Sequence, residues 1–163
     1  MYVFIYNNML CLTYVNVTRQ NGIRLLILKK KLKYEVKNEP QGDRTITVVA
    51  MPSNTNPSGD IFGGWILSQM DIAGGVQANR IANGKTATVG VESVRFMRPV
   101  KVGDLVSCYT RVKKIGNTSV SIDITAWTTD HFHPGDAIKV TEGLFTYVAI
   151  DKNGLPITIR VDN

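Results

Sequence analysis

The sequence predicts an α+β fold in which one long helix packs on an antiparallel sheet of about five to six strands. Apolar residues recur at helical spacing in a single stretch, residues 63–81. A helix of that length would extend roughly 28 Å. The segments that follow are β-branched or alternate in polarity, and turn signals divide them into strands. One helix can cover only one face of such a sheet.

The composition fits one soluble globular domain at residues 39–163. Apolar residues make up 44% of the chain and charged residues 20%, which is ordinary for a soluble domain. The net charge of +6 lies wholly in residues 1–38, because residues 39–163 contain as many acidic as basic side chains. This balance argues against nucleic-acid binding. No apolar run is long enough to predict a transmembrane segment, and we expect a cytoplasmic protein.

Residues 1–38 are expected to be a basic, poorly ordered leader outside the domain. Residues 1–15 lack the positive start of a signal peptide. Residues 23–34 have a basic amphipathic pattern that could contact an anionic membrane surface. A loose extension, or translation begun upstream of the functional start, explains the same residues more simply. Cys11 lies in this leader, whereas Cys108 is predicted to be a buried, reduced thiol in a strand.

Each element of the domain has its own local signal. Residues 45–50 are β-branched and predict a first strand, and a loop with two prolines at 52–59 leads to the helix. Asn83-Gly84 is typical of a helix C-terminus. The remaining strands are predicted to form a four-stranded antiparallel meander over residues 86–97, 105–115, 119–129 and 137–150.

Packing is indicated by one strand and by two glycines. The strand at 120–127 alternates, and its predicted inner face consists of Val120, Ile122, Ile124 and Ala126. Gly74 and Gly75 lie in mid-helix, where each costs roughly 1 kcal/mol relative to alanine. Their presence indicates close backbone approach to the sheet or to a second subunit, from which we infer a dimer.

The most specific signal is Asn56-Pro-Ser-Gly-Asp-Ile-Phe-Gly-Gly-Trp65, at the predicted start of the helix. Its one carboxylate, Asp60, closely precedes Gly63 and Gly64. Backbone amides at a helix start can stabilise a developing oxyanion, and glycines allow a carbonyl to approach them. A carboxylate beside such amides can act as a base or a nucleophile. The simpler alternative is that Asp60 only caps the helix.

Other site chemistries are disfavoured. His131 and His133 form a His-x-His pair, but no third ligand follows at zinc-site spacing, so no metal is expected. Ser68, Ser93 and Ser119 have no His/Asp pattern that would make a serine triad. The glycines form neither a dinucleotide fingerprint nor a phosphate-binding loop.

Several separated blocks of the chain together resemble the YciA-type acyl-CoA thioesterases. The blocks are Asn56-x-x-Gly-Asp-Ile-Phe-Gly-Gly-Trp65, Ser68-Gln-Met-Asp71, Val91-Glu-Ser93, Phe96, Pro99 and Val102-Gly-Asp104. The resemblance extends over about residues 45–160. It implies the hotdog fold, in which a central helix is wrapped by the sheet, and hydrolysis of acyl-CoA to a free acid and CoA. It also implies an active site between two subunits, a homodimer as the minimal unit and a trimer of dimers.

Roles for individual residues come partly from the resemblance and partly from the residues themselves. Asp60 is the implied catalytic carboxylate, with Asn56, Gly63 and Gly64 around it. Asp71 either supports catalysis or is a satisfied structural group. Contacts with CoA are implied for Val89, Gly90, Val91, Asn117, Thr118 and Ser119, and Lys113 and Lys114 are candidates for its phosphates. Acyl-CoA is the implied substrate, and no separate cofactor is implied.

Two functions remain open from the sequence. One is a hydrolase in which Asp60 acts as general base or nucleophile, and the other is a non-catalytic hotdog module that binds and senses acyl-CoA. An acyl-carrier dehydratase of the same fold is disfavoured, because its histidine would lie near the start of the central helix. Here that position holds the Asp60 loop, and His131 and His133 come late in the chain.

Overall fold

In a computed structural model, the described residues are 2–6, 9–13, 39–130 and 135–160. The chain divides into two compact units, Met1–Val36 and Lys37–Asn163. In the first unit, strands β1 (Tyr2–Tyr6) and β2 (Met9–Thr13) pair antiparallel, a pairing that the sequence does not predict. Across these described ranges, no helix has the length and apolar character needed to cross a membrane.

The described residues of the second unit form an open, five-stranded antiparallel sheet, one α-helix, α1 (Gly63–Ala82), and a short 3₁₀ helix at Pro52–Asn54. Its strands run in the order β3-β5-β6-β7-β4, so β3 and β4 form the two edges. Their bounds are β3 Asp43–Val49, β4 Thr86–Phe96, β5 Leu105–Ile115, β6 Ser119–Thr129 and β7 Ile138–Ala149. The predicted fold class is confirmed, and each predicted element agrees with the observed one to within about two residues at either end.

The predicted four-stranded meander is wrong for β4. This strand pairs with β7, with Thr86 opposite Ala149 and Phe96 opposite Thr141, so only β5, β6 and β7 follow one another in space. The connection from β4 to β5, residues 97–104, is longer than the tight turns that join neighbouring strands. Within it, the carbonyl of Val100 accepts a hydrogen bond from the Ile61 N–H (3.0 Å), so this connection passes beside the loop that precedes α1.

The core lies between α1 and the inner face of the sheet. The predicted inner residues of β6, Val120, Ile122, Ile124 and Ala126, are fully buried. Cys108 is buried with a free thiol, as predicted, and burial raises its pKa to about 12. The helix contributes Ile66, Met70, Ala73, Gly74 and Ala78.

Gly74 allows the close approach of α1 to the sheet. A Cβ built on Gly74 would lie 2.1 Å from Tyr147 Oη and 2.5 Å from Ile124 Cδ1, so no side chain fits there without rearrangement. A Cβ on Gly75 would meet only a Tyr147 ring carbon, at 3.9 Å. The sheet therefore explains Gly74, and the inference of a dimer needs support from other residues.

Candidate functional site

Asp60 lies in a loop that the side chain of Asn56 organises. Asn56 Oδ1 accepts hydrogen bonds from the backbone N–H groups of Ser58 (2.9 Å) and Asp60 (3.2 Å). The Asn56 N–H in turn donates to the carbonyl of Asp60 (2.7 Å). Gly59 completes the turn with a φ of +84°, a conformation that favours glycine. The amide of Asn56 thus holds the backbone of the residue that carries the carboxylate.

The carboxylate of Asp60 does not cap α1. The N-cap residue is Phe62, and no side chain makes a cap hydrogen bond there. The Trp65 N–H already donates to the carbonyl of Phe62 (2.9 Å). The amides before it, like the first amides of any helix, have no helical carbonyl four residues back to accept their hydrogen bonds. Gly63 and Gly64 carry these first amides. The capping alternative is therefore wrong, and a carboxylate and two glycine amides occur together at one helix start.

Lys101 is a site residue that the sequence analysis missed. Its Nζ donates to Asp60 Oδ1 and forms an ion pair, in which the lysine side chain is 64% exposed and the aspartate side chain 34%. The two residues are far apart in sequence, and no periodic pattern relates them. The local sequence near Lys101 indicates only the Val102-Gly-Asp104 turn that follows it. The β4–β5 connection, which passes beside the Asp60 loop, brings Lys101 to the carboxylate.

Asp71 has a different environment. Its Oδ1 accepts hydrogen bonds from Thr88 Oγ1 (2.7 Å) and Tyr147 Oη (3.2 Å), and Tyr147 Oη also lies 3.1 Å from the Asp71 carbonyl. Burial, and then the neighbouring Asp71 charge and hydrogen bond, raise the pKa of Tyr147 well above its usual value of 10.0. Asp71 thereby links α1 to β4 and β7. Within one chain, these contacts favour the structural reading of Asp71.

The residues implied to contact CoA occupy two separate places. Val89, Gly90 and Val91 lie on the edge strand β4, where the pairing register with β7 shifts next to Val89. Asn117, Thr118 and Ser119 lie at the β5–β6 turn. The carbonyls of Asn117 and Thr118 accept hydrogen bonds from Ile159 and Ala149, each at 2.8 Å. This turn therefore lies at the end of the sheet where β7 ends and β4 begins.

Helix α1 separates that turn from Asp60. The Thr86 N–H, at the start of β4, donates to Asn79 Oδ1 near the end of α1 (2.9 Å), whereas Asp60 precedes the first residue of α1. A helix of 20 residues spans about 30 Å. Within a single chain, Asp60 and the β5–β6 turn are thus at opposite ends of the helix and are not brought together.

The basic candidates lie on the surface of the sheet. Lys113 Nζ is 3.7 Å from Asp123 Oδ1, and Arg111 Nη2 is 3.2 Å from Asp123 Oδ2. Asp123 belongs to the face of β6 opposite the helix, so this cluster is not part of the helix-start site. Lys114 is exposed. His131 and His133 lie outside the described residues, and the prediction that they hold no metal stays a prediction.

Comparisons with known proteins agree on one family. The family model described as the thioesterase superfamily matches residues 58–131, which include Asp60 and most of the sheet. The acyl-CoA thioester hydrolase YciA of Escherichia coli (strain K12) is 50% identical over 127 residues, covering 77% of this chain and 96% of that protein.

Solved structures give the same result. A hexameric thioesterase from Yersinia pestis is 44% identical, with a TM-score of 0.73, and the match covers 76% of this chain and 100% of that one. HI0827, a hexameric broad-specificity acyl-coenzyme A thioesterase crystallised as an aspartate-to-alanine mutant, is 43% identical with a TM-score of 0.73. That match covers 76% of this chain and 90% of the other.

Proposed function

Because the chain belongs to the thioesterase superfamily, among its acyl-CoA thioester hydrolases, we propose that it hydrolyses acyl-CoA to a carboxylic acid and CoA with Asp60 as the catalytic carboxylate. The observation that carries the assignment of Asp60 is its position in the loop that leads into α1, without a capping role. The amides of Gly63 and Gly64 supply the complementary half of the site.

In the first of two routes, Asp60 acts as a general base on water. The carboxylate takes a proton from the water, and the resulting hydroxide adds to the thioester carbonyl carbon. The carbonyl oxygen becomes negative and is stabilised by the helix-start amides. Collapse of this intermediate breaks the carbon–sulfur bond. The CoA thiolate then leaves and takes up a proton.

In the second route, a carboxylate oxygen of Asp60 attacks the thioester carbon directly. The carbon–sulfur bond breaks, the CoA thiolate leaves, and a mixed anhydride joins the acyl group to Asp60. Water then hydrolyses the anhydride and regenerates the carboxylate. Label found on Asp60 after a single turnover in oxygen-18 water would identify the anhydride route, because only water attacking the Asp60 carbon of the anhydride can place it there.

A second copy of the chain would complete the site. The implied CoA-contacting turn at Asn117–Ser119 lies about one helix length from Asp60 in the same chain, which favours contacts supplied across an interface. The edge strand β4 leaves Val89 60% and Val91 46% exposed. An apolar sheet edge with unpaired backbone groups is suited to pairing with another strand. We therefore propose a homodimer as the minimal active unit.

The dimer would assemble further into a trimer of dimers, since HI0827 and the thioesterase from Yersinia pestis are both hexameric. Light scattering of the purified chain should give the mass of a hexamer, with a dimer as the smallest active species on dilution. A monomer with full turnover would contradict this assembly.

The proposed chemistry is tested by Asp60→Asn. Thiol release from acyl-CoA substrates of increasing chain length measures turnover, and calorimetric titration with CoA measures binding. We expect kcat to fall by roughly 10²–10⁴-fold, with the fold and CoA binding retained. Asp43→Asn is a matched control, because Asp43 is an exposed aspartate at the start of β3, away from the α1 start. It should leave kcat unchanged.

Equal turnover in wild type and Asp60→Asn would overturn the catalytic assignment. If neither protein released thiol although both bound acyl-CoA, the alternative of a non-catalytic acyl-CoA sensor would be supported instead.

A further inference from the structure

Lys101 is held beside Asp60 by a turn with several fixed contacts. The Lys101 N–H donates to Asp104 Oδ2 (2.9 Å), and the Asp104 N–H donates to the Lys101 carbonyl (3.2 Å). The turn is attached to the end of β3, because Ala50 N–H donates to the Asp104 carbonyl (2.9 Å) and Gly103 N–H to the Ala50 carbonyl (2.8 Å). The backbone that carries the lysine is thus fixed on both sides.

The same turn is tied directly to the Asp60 loop. Val100, which precedes Lys101, is fully buried and accepts the hydrogen bond from Ile61, which follows Asp60. The two side chains therefore start from neighbouring, hydrogen-bonded backbone segments. This arrangement makes their contact a consequence of the fold rather than of two mobile surface chains that happen to meet.

The ion pair engages only one carboxylate oxygen. Lys101 Nζ donates to Asp60 Oδ1, whereas Oδ2 has no hydrogen-bond partner among the described residues. An aspartate at the surface otherwise exchanges among rotamers, and its two oxygens alternate. An ammonium that contacts one oxygen favours the orientation in which the other is free to accept a proton or attack a carbon.

We infer that Lys101 is a positioning residue for the hydrolysis, holding Asp60 by Oδ1 so that Oδ2 is the reacting oxygen. This inference rests on the proposed catalytic function of Asp60. The lysine acts through Asp60 and touches neither the thioester carbon nor the leaving sulfur. Because an exposed ion pair contributes little to folding, its removal should leave the fold intact and change the rate.

The test compares Lys101→Met with Lys101→Arg in the thiol-release assay. Met keeps the length of the side chain without a donor, whereas Arg keeps the positive charge and the donors. We expect Lys101→Met to lower kcat roughly tenfold with KM changed less than about twofold, because misplacement of a reacting group lowers kcat rather than binding. Lys101→Arg should restore most of the lost kcat.

Lys152→Met is the matched control. Lys152 is exposed in the turn at residues 151–154, and the described residues show no ion pair for it. Its substitution should leave kcat and KM unchanged. A Lys101→Met enzyme with wild-type kcat would overturn the inference. So would a loss expressed as a raised KM, which indicates a substrate contact, or a loss that Lys101→Arg does not recover.

Asp60→Asn, assayed in parallel, separates this inference from the proposed function. If Asp60→Asn retains turnover, the catalytic assignment of Asp60 fails whatever Lys101→Met does. If Asp60→Asn loses turnover and Lys101→Met does not, the assignment stands and only the role of Lys101 fails.

Discussion

The loop before α1 and the middle of α1 each carry one carboxylate, and the two are held in opposite ways. Asp60 contacts a single exposed ammonium, on a loop whose order comes from Asn56. Asp71 accepts two hydroxyl donors, one of them from the buried Tyr147, and thereby joins the helix to two strands. A carboxylate therefore contributes little to stability in the loop before α1 and much more in the middle of α1.

This difference explains which carboxylate is available for chemistry. A group that is needed to satisfy a buried donor, as Asp71 is for the phenol of Tyr147, cannot exchange partners without loss of stability. Asp60 satisfies no buried donor among the described residues, so a substrate can replace the solvent beside it at a small cost in free energy. We expect substitutions in the Asp60 loop to reduce turnover with little change in stability, and substitutions around Asp71 to reduce stability first.

The largest expected effect on stability is that of Gly74→Ala. The new methyl would overlap Tyr147 Oη and Ile124 Cδ1, and displacement of Tyr147 would also break its hydrogen bonds to Asp71. We expect a loss of about 3 kcal/mol in the free energy of unfolding, measured in urea, which is the upper end for overpacking a core. Gly75→Ala is the control, because its methyl meets nothing outside its own helix closer than 3.9 Å. Equal stabilities of the two variants would contradict the close approach at Gly74.

Asp71→Ala and Asp60→Ala should separate the two regions directly. Removal of the Asp71 carboxylate leaves Thr88 without this acceptor, while Tyr147 keeps only the backbone carbonyl. We expect a loss of about 2 kcal/mol for Asp71→Ala, as is usual for hydrogen bonds to a charged group. Asp60→Ala should change the free energy of unfolding by less than about 1 kcal/mol, since its ion pair is exposed. If Asp71→Ala and Asp60→Ala lowered the free energy of unfolding by similar amounts, the two carboxylates would not differ in their contribution to stability.

Much of the fold follows from local sequence signals, and one strand pairing does not. The bounds of α1, β5 and β6 follow from periodicity and from Gly-containing turns, because these act over a few residues. The pairing of β4 with β7 depends on contacts between segments far apart in the chain. The length of the connection at residues 97–104 was the available sign that β4 and β5 are not neighbours.

The candidate site divides in the same way. The sequence places Asp60, Gly63 and Gly64 at one helix start, because the three residues are close together in the chain. Lys101 reaches Asp60 only because the β4–β5 connection crosses beside that loop, so its role depends on the pairing that the sequence did not predict. For Asp71, the sequence left a structural and a catalytic role open. Thr88 and Tyr147, whose hydrogen bonds favour the structural role within one chain, are themselves brought together by the sheet.

The smallest expected effect distinguishes the two regions by their response to alkaline pH. The pKa of Tyr147 is raised in the folded protein by burial and by Asp71, so the folded state keeps its phenol proton above the usual value of 10.0 while the unfolded state loses it. The contribution of Tyr147 to stability is then complete below about pH 10 and falls as the pH rises further, by at most about 1.4 kcal/mol per pH unit. The buried thiol of Cys108, with its pKa raised to about 12 from 9.0, adds a similar slope beginning near pH 9 in both wild type and variants.

Urea unfolding at several pH values should therefore show a shallower decline above about pH 10 for Tyr147→Phe than for wild type, because only the thiol contribution remains. Asp60→Asn should follow the wild-type curve, since Asp60 has no contact with the phenol, and an identical decline in Tyr147→Phe and wild type would argue that the Tyr147–Asp71 contact does not hold the proton.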